Sequence, residues 1–252
     1  MTYIIAHRGA SKDAPENTLA AFREAWRQQA DGIEGDYAYT ADQQIVCIHD
    51  DDLVRTGGEG LLVAQSNYDQ LKTVDVGSWK SPQFSDQRVP LLRQVLDQMP
   101  PDKWCVIELK TGPEIVTLLN RDLSASSIDR SRILLIAFDQ LTVLEAKQQM
   151  PEIKAHWLVD YRQLDNGNWS PTPEEIAQTV RSCHADGIGS QASLAVVTAQ
   201  FIERLKSCGV DEFHFWTVDD PHDARFYQSI GAWGITTNRP AFIRNAIELA
   251  SE

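Results

Sequence analysis

The sequence predicts a TIM-type (β/α)8 barrel, and three observations lead there. Short apolar runs alternate with stretches of helical period almost to the end of the chain. That alternation argues for parallel strands joined by helices. Counting 32–39 and 45–48 as one hairpin unit leaves eight such repeats in 252 residues, a size that suits a closed barrel. No Gly-x-Gly-x-x-Gly follows the first strand, so an open dinucleotide-binding sheet loses its main support.

Each element has its own signal. Residues 3–6 form the first strand. Asn17 to Gln29 reads as a helix, with Leu19, Phe22, Ala25 and Trp26 on one face. Gly32 to Tyr39 is the second strand, paired with 45–48 through the Ala41-Asp42-Gln43-Gln44 turn. Residues 51–88 break the rhythm, with Gly57-Gly58-Glu59-Gly60 at their centre. They read as a small insertion after the second strand unit of a single domain spanning 1–252, and so long a loop is usually functional. Val89 to Gln98 is a helix opened near Pro90. Strands follow at 104–109, 132–138, 153–159, 186–189, 212–218 and 233–236. The helices between them run over 113–123, 139–149, 172–183 and 198–207, then from 220 to near 231. Asp139 and Thr172 stand as caps, Pro173 as a first helical residue and Gly209 as a stop. Pro240 to Ala250 is the last helix.

Composition narrows the function classes. Apolar residues make up 42% of the chain, enough for a large core without a disulfide or metal staple. A net charge of −13 repels nucleic-acid backbones and anionic bilayers. No nucleic-acid partner and no stable membrane anchor are therefore expected. Tyr3-Ile4-Ile5-Ala6 is too short for a signal sequence, and no run approaches the roughly 20 apolar residues of a membrane span. Cys47, Cys105, Cys183 and Cys208 lack zinc-ligand spacing. Cys47 and Cys105 lie in apolar runs, as buried free thiols do. That pattern suits a reducing compartment, so a cytoplasmic protein is expected.

The polar residues fall where a barrel carries its chemistry, at the carboxyl ends of strands. His7 and Arg8 end the first strand. Glu34 and Asp36 lie two apart on the second, so they face the same side. His49 and Asp50 end its hairpin partner. Glu108 and Lys110 end the next strand, and Trp216 lies near the end of the seventh. Three converging carboxylates repel unless neutralised. One divalent cation, Mg²⁺ or Ca²⁺, is the choice that all-oxygen ligands favour. Pairing of the acids with Arg8 and Lys110 is the alternative. His7 and His49 suit acid–base work near neutrality. Asp50 either orients His49 or satisfies the turn after it. His156, His184, His214 and His222 read as structural.

The ordered series His7-Arg8-Gly9, Pro15-Glu16-Asn17-Thr18, Glu34-Gly35-Asp36, His49-Asp50 with Arg55-Thr56, and Glu108-Leu109-Lys110 resembles the signature of the glycerophosphodiester phosphodiesterases. Trp216-Thr217-Val218 and Gly234-Ile235-Thr236-Thr237-Asn238-Arg239-Pro240 continue it, while 111–210 match in rhythm only. The resemblance implies a TIM barrel, one divalent cation, and hydrolysis of glycerophosphodiesters to glycerol 3-phosphate and an alcohol, a reaction of glycerol and lipid metabolism. Carried over by position, His7 and His49 are the catalytic pair, and Glu34, Asp36 and Glu108 the metal ligands. Arg8 and Lys110 contact the phosphate, Trp216 joins the substrate site, and 51–88 lie over it. Gly9 lets the chain turn close to the substrate, and Glu16 pairs with Arg8. This sequence departs at Asn238, where the family usually has aspartate, and at Tyr37, where it has a small aliphatic residue. Asn238 is expected to affect loop geometry or a salt bridge with Arg239.

Two other readings stand beside hydrolysis of glycerophosphodiesters. Cleavage of lysophospholipids needs an apolar groove, for which 51–88 offer Leu61, Leu62, Val63 and Tyr68. A barrel that only binds a phosphate ligand is the other, and the complete catalytic series argues against it.

Overall fold

Eight parallel strands close on themselves in the computed structural model of the chain, which describes residues 2–248. They are β1 (Tyr3–Ala6), β2 (Gly32–Tyr39), β3 (Trp104–Leu109), β4 (Ile133–Ala137), β5 (Lys154–Val159), β6 (Gly187–Gln191), β7 (Phe213–Trp216) and β8 (Gly234–Thr237). Each pairs with the next, and β8 returns to β1 with Ile4 opposite Ile235. The predicted barrel is the observed fold. β4 reads Ile-Leu-Leu-Ile-Ala and is buried throughout, because a barrel strand has packed side chains on both faces.

The crossings are α1 (Leu19–Arg27), α2 (Leu92–Leu96), α3 (Ile115–Ser124), α4 (Gln140–Gln149), α5 (Pro173–Cys183), α6 (Ala199–Ser207), α7 (Pro221–Ser229) and α8 (Pro240–Glu248). Their starts are chemically marked. Asp139, Thr172, Thr198 and Asp220 each accept a backbone N–H of the first turn. Two helices are shorter than their sequence suggests. α1 begins after Thr18, because Asn17 adopts a left-handed φ of 55° and turns its amide elsewhere. α2 begins after Leu91, because Pro90 accepts the Cys47 N–H and Leu91 pairs with Val46. The expected continuation of α8 to Ala250 lies outside the described residues.

Inside the barrel, Ile5, Val106, Leu134, Ile136 and Leu158 fill the middle. Tyr3, Trp104 and Trp233 pack ring against ring at 5.0–5.7 Å near the amino ends of their strands. That aromatic plug shuts one end and leaves the carboxyl end for chemistry. The strand Ile45–Cys47 adds antiparallel to β2. Residues 51–88 form a small hairpin and single helical turns over their own core of Leu53, Val63, Leu71, Val74 and Val76, continuous with Val46 and Ile48. All four cysteines are free thiols. Among the described residues no helix is long and apolar enough to cross a membrane.

Candidate active site

The ends of β1 to β3 converge as the sequence predicts. One cavity of about 170 Å³ takes both histidines, both cations, Glu34, Glu108 and Trp216. Asp36 lies at its edge, 1% exposed. It sits opposite Glu108 in the β2–β3 register. Carboxylate oxygens of Glu34, Asp36 and Glu108 lie within 4.8 Å of one another.

Two cations offset this charge. Arg8 NH1 bonds Glu16 Oε1 at 2.9 Å, and its Nε lies 3.1 Å from Asp36 Oδ2, near enough for an ion pair but misaligned for a hydrogen bond. Lys110 Nζ bonds Glu108 Oε1 at 2.8 Å and approaches Asp36 Oδ1 at 3.6 Å. The pairing of acids with bases therefore exists, and it is incomplete. Glu34 Oε2 accepts the Arg8 backbone N–H at 2.8 Å, while its Oε1 is buried without a partner. Burial, then the Asp36 and Glu108 charges, push the Glu34 carboxyl well above its ordinary range. An orphaned carboxylate oxygen among three crowded carboxylates fits a hard cation.

The histidines are held by their Nδ1 atoms. His7 Nδ1 bonds Asn238 Oδ1 at 2.8 Å. Asp219 takes the Asn238 amide NH₂ at 2.6 Å, which turns the amide oxygen towards His7. A carbonyl oxygen only accepts, so His7 carries its proton on Nδ1 and leaves Nε2 bare. Burial, then Arg8, lower the His7 pKa. His49 Nδ1 bonds Asp50 Oδ1 at 2.7 Å, and the other Asp50 oxygen takes Arg55 Nε at 2.6 Å. Asp50 thus orients His49. Arg55 also bonds both oxygens of Glu16, at 2.8 and 2.9 Å, so a chain Asp50–Arg55–Glu16–Arg8 runs along the rim.

Several expectations are sharpened. Asn238 holds His7 rather than contacting Arg239, whose guanidinium lies 3.8 Å above the Phe242 ring. Gly9 has a φ of 79°, and a Cβ there would stand 2.6 Å from the Ala21 backbone. It packs the loop closely on α1. Val63 is buried and Leu61 and Tyr68 pack against the insertion's core, which leaves Leu62 as the exposed residue of that set. His214, read from the sequence as structural, lines the cavity.

Two more groups border the site: Asn17, which the sequence places outside the catalytic set as a loop-fixing residue, and Phe138, which it does not mark. Asn17 donates to Asp36 Oδ2 at 2.8 Å and accepts the Asp36 N–H at 3.2 Å, which fixes that carboxylate from the α1 side. The signal was the following threonine: with Thr18 as cap, Asn17 is free to leave the helix. Phe138, just beyond β4, packs edge-on against Trp216 at 5.5 Å and walls the cavity. Trp216 is fixed by donating Nε1–H to the Gly189 carbonyl at 2.9 Å.

Residues 7–242 match the model of the glycerophosphoryl diester phosphodiesterase family. The chain belongs to this family. It is an enzyme, a phosphoric diester hydrolase. A glycerophosphodiester phosphodiesterase of Caldanaerobacter subterraneus subsp. tengcongensis is 30% identical over 252 residues, covering 98% of both chains. Among solved structures, a glycerophosphodiester phosphodiesterase from Agrobacterium tumefaciens aligns with a TM-score of 0.78 at 26% identity, over 97% of this chain and all of that one. An Oleispira antarctica phosphodiesterase, solved with the product sn-glycerol-3-phosphate, shares the fold with a TM-score of 0.86 at 23% identity, over 98% and 97% of the two chains.

Proposed function

We propose that this enzyme hydrolyses glycerophosphodiesters to glycerol 3-phosphate and an alcohol, using His7 and His49 as the acid–base pair. A divalent cation, Mg²⁺ or Ca²⁺, is held by Glu34, Asp36 and Glu108. The observation that carries this reading is one cavity joining two Nδ1-anchored histidines to an under-neutralised carboxylate triad. Bound there, the cation supplies Lewis-acid neutralisation of phosphoryl charge.

The protein's own groups do the rest. Arg8 and Lys110 give charge-assisted hydrogen bonds to phosphoryl oxygens. His7, kept neutral by burial and by Arg8, takes a proton at Nε2 from the attacking hydroxyl. That hydroxyl belongs to water or to C2 of the glycerol, which would give a cyclic phosphate opened in a second step. His49, oriented by Asp50, gives a proton to the leaving alkoxide. Trp216 and Phe138 form the apolar wall against which the organic part of the substrate lies. Residues 51–88 cover this site, a reading supported by two ties: Arg55 to Asp50 and Glu16, and Lys80 Nζ to the Ser11 carbonyl at 2.7 Å.

The test is turnover of glycerophosphocholine by His7→Ala and His49→Ala. Each is expected to lose about 10²–10⁴-fold in kcat with unchanged circular dichroism. Wild-type rates in either variant would refute the assignment.

A further inference from the structure

β6 reads Gly187-Ile188-Gly189-Ser190, and strand alternation turns both glycines inward. A Cβ at Gly189 would stand 2.4 Å from Cε1 and 2.5 Å from Nε2 of His214, and one at Gly187 would stand 2.9 Å from Nε2 of His156. His156 lies beside Gly187 on β5, and His214 beside Gly189 on β7. The two imidazoles lean over bare backbone from either side and meet Nδ1 to Nδ1 at 3.0 Å. Their planes differ by 23°, as suits an in-plane hydrogen bond.

The far end of this pair sets the roles of its nitrogens. Glu212 Oε1 lies 3.0 Å from His156 Nε2. Burial pushes the Glu212 carboxyl up, but hydrogen bonds from His156 and Lys154 outweigh it and hold the pKa down to about 2. A carboxylate only accepts, so His156 Nε2 carries a proton. The Nδ1–Nδ1 bond holds one proton: supplied by His214, it is accepted by His156 Nδ1 and leaves His214 Nε2 as a bare lone pair. Burial pushes His214 well below its ordinary pKa, so the ring is uncharged. His214 lines the cavity with Ile136, Leu158 and Thr236, all 1–4% exposed. Its one hydrogen bond is spent on His156, so Nε2 has no donor among the described residues.

We propose that His214 supplies the proton of that bond and is a specificity residue for the known reaction: its Nε2 accepts a hydrogen bond from a hydroxyl of the substrate's glycerol moiety. This rests on the glycerophosphodiester reading above. An unpaired acceptor beside Ile136, Leu158 and Thr236 selects a ligand group that donates. A phosphodiester has no proton to give, whereas a glycerol hydroxyl has one and can in turn accept from Thr236. The glycine pair on β6 exists to seat the rings that present this acceptor.

The experiment compares binding of sn-glycerol 3-phosphate and n-propyl phosphate, which lacks both hydroxyls, to wild type and His214→Phe in the presence of Mg²⁺. The variant keeps a ring of similar size and removes the acceptor. Its preference for glycerol 3-phosphate is expected to fall about tenfold, with n-propyl phosphate affinity unchanged. Equal weakening of both ligands, or an unaltered preference, overturns the proposal. Long-range ¹H–¹⁵N spectra of the wild type supply an arm that needs no variant. His214 Nε2 is expected to be unprotonated and to shift with glycerol 3-phosphate but not with n-propyl phosphate, and a protonated Nε2 overturns the proposal. Wild-type turnover of glycerophosphocholine is read separately, so failure of the hydrolase reading is distinguishable from failure of this one.

Discussion

The mouth of the barrel has two unlike halves. Where β1, β2 and β3 end, the cavity wall carries Arg8, Glu34, Glu108 and Lys110 beside Asp36, and ion pairs tie Arg8 to Glu16 and Asp36 and Lys110 to Asp36 and Glu108. Where β4 to β8 end, it carries Ile136, Phe138, Leu158, Trp216 and uncharged polar groups. One half is built for charge and the other for an organic group with few donors and acceptors. A phosphodiester with a glycerol arm has the same division. The charged half also bears the strain, since Glu34 keeps an unpartnered oxygen there. On the proposed reading, chemistry belongs to the first half, and selection of the organic group to the second.

Breaking the charged half has the largest expected effect. Glu34→Gln and Asp36→Asn each remove one carboxylate of the triad. Turnover is expected to fall by about 10³-fold or more, with weaker binding of Mg²⁺ or Ca²⁺ by calorimetry. A variant with undiminished cation affinity would remove that residue from the site.

Exchanging Asn238 for aspartate sharpens the same half. An anion would replace the neutral amide on His7 Nδ1, which raises the His7 pKa. The limb of the pH–rate profile that reports His7 should move up by about one pH unit. A superimposable profile would show that Asn238 does not act through His7.

The apolar half should respond more mildly. Phe138→Ala removes the ring that meets Trp216 edge-on. KM is expected to rise about fivefold with kcat little changed, because binding is lost without loss of the reacting groups. A fall in kcat alone would place Phe138 with the chemistry instead.

The smallest effect concerns the rim that joins 51–88 to the barrel. Burial pushes the Glu16 and Asp50 carboxyls up, but hydrogen bonds from Arg55 and their other partners outweigh it and hold both pKa values down to about 2. Both groups are depressed in the folded state, so their contribution is whole above the ordinary carboxylate values of 4.5 and 3.8. It fades as pH falls towards 2. Arg55→Met should flatten the decline of Tm across that window. An unchanged slope would mean that Arg55 does not hold these groups.

The two halves also differ in how far sequence exposes them. The charged half was legible because its residues lie at strand ends at spacings of one or two, such as Glu34 and Asp36 or Glu108 and Lys110. The apolar half was not. His156 and His214 are 58 residues apart, and they meet because an intervening strand has glycine at two inward positions. That register belongs to the closed barrel and has no local trace. The same limit explains α1 and α2. Helical period carried α1 back to Asn17, but the side chain is drawn to Asp36 and the backbone turns left-handed. Pro90 looked like a helix opener, yet it and Leu91 pair with the strand after β2. Helix caps were readable because cap and first turn are neighbours in sequence.

The most direct test of the division is product analysis of glycerophosphocholine cleavage, with and without EDTA. Choline and glycerol 3-phosphate should form, stop forming in the chelator, and return with Mg²⁺ or Ca²⁺. Undiminished cleavage in EDTA, or none with either ion restored, would contradict the account.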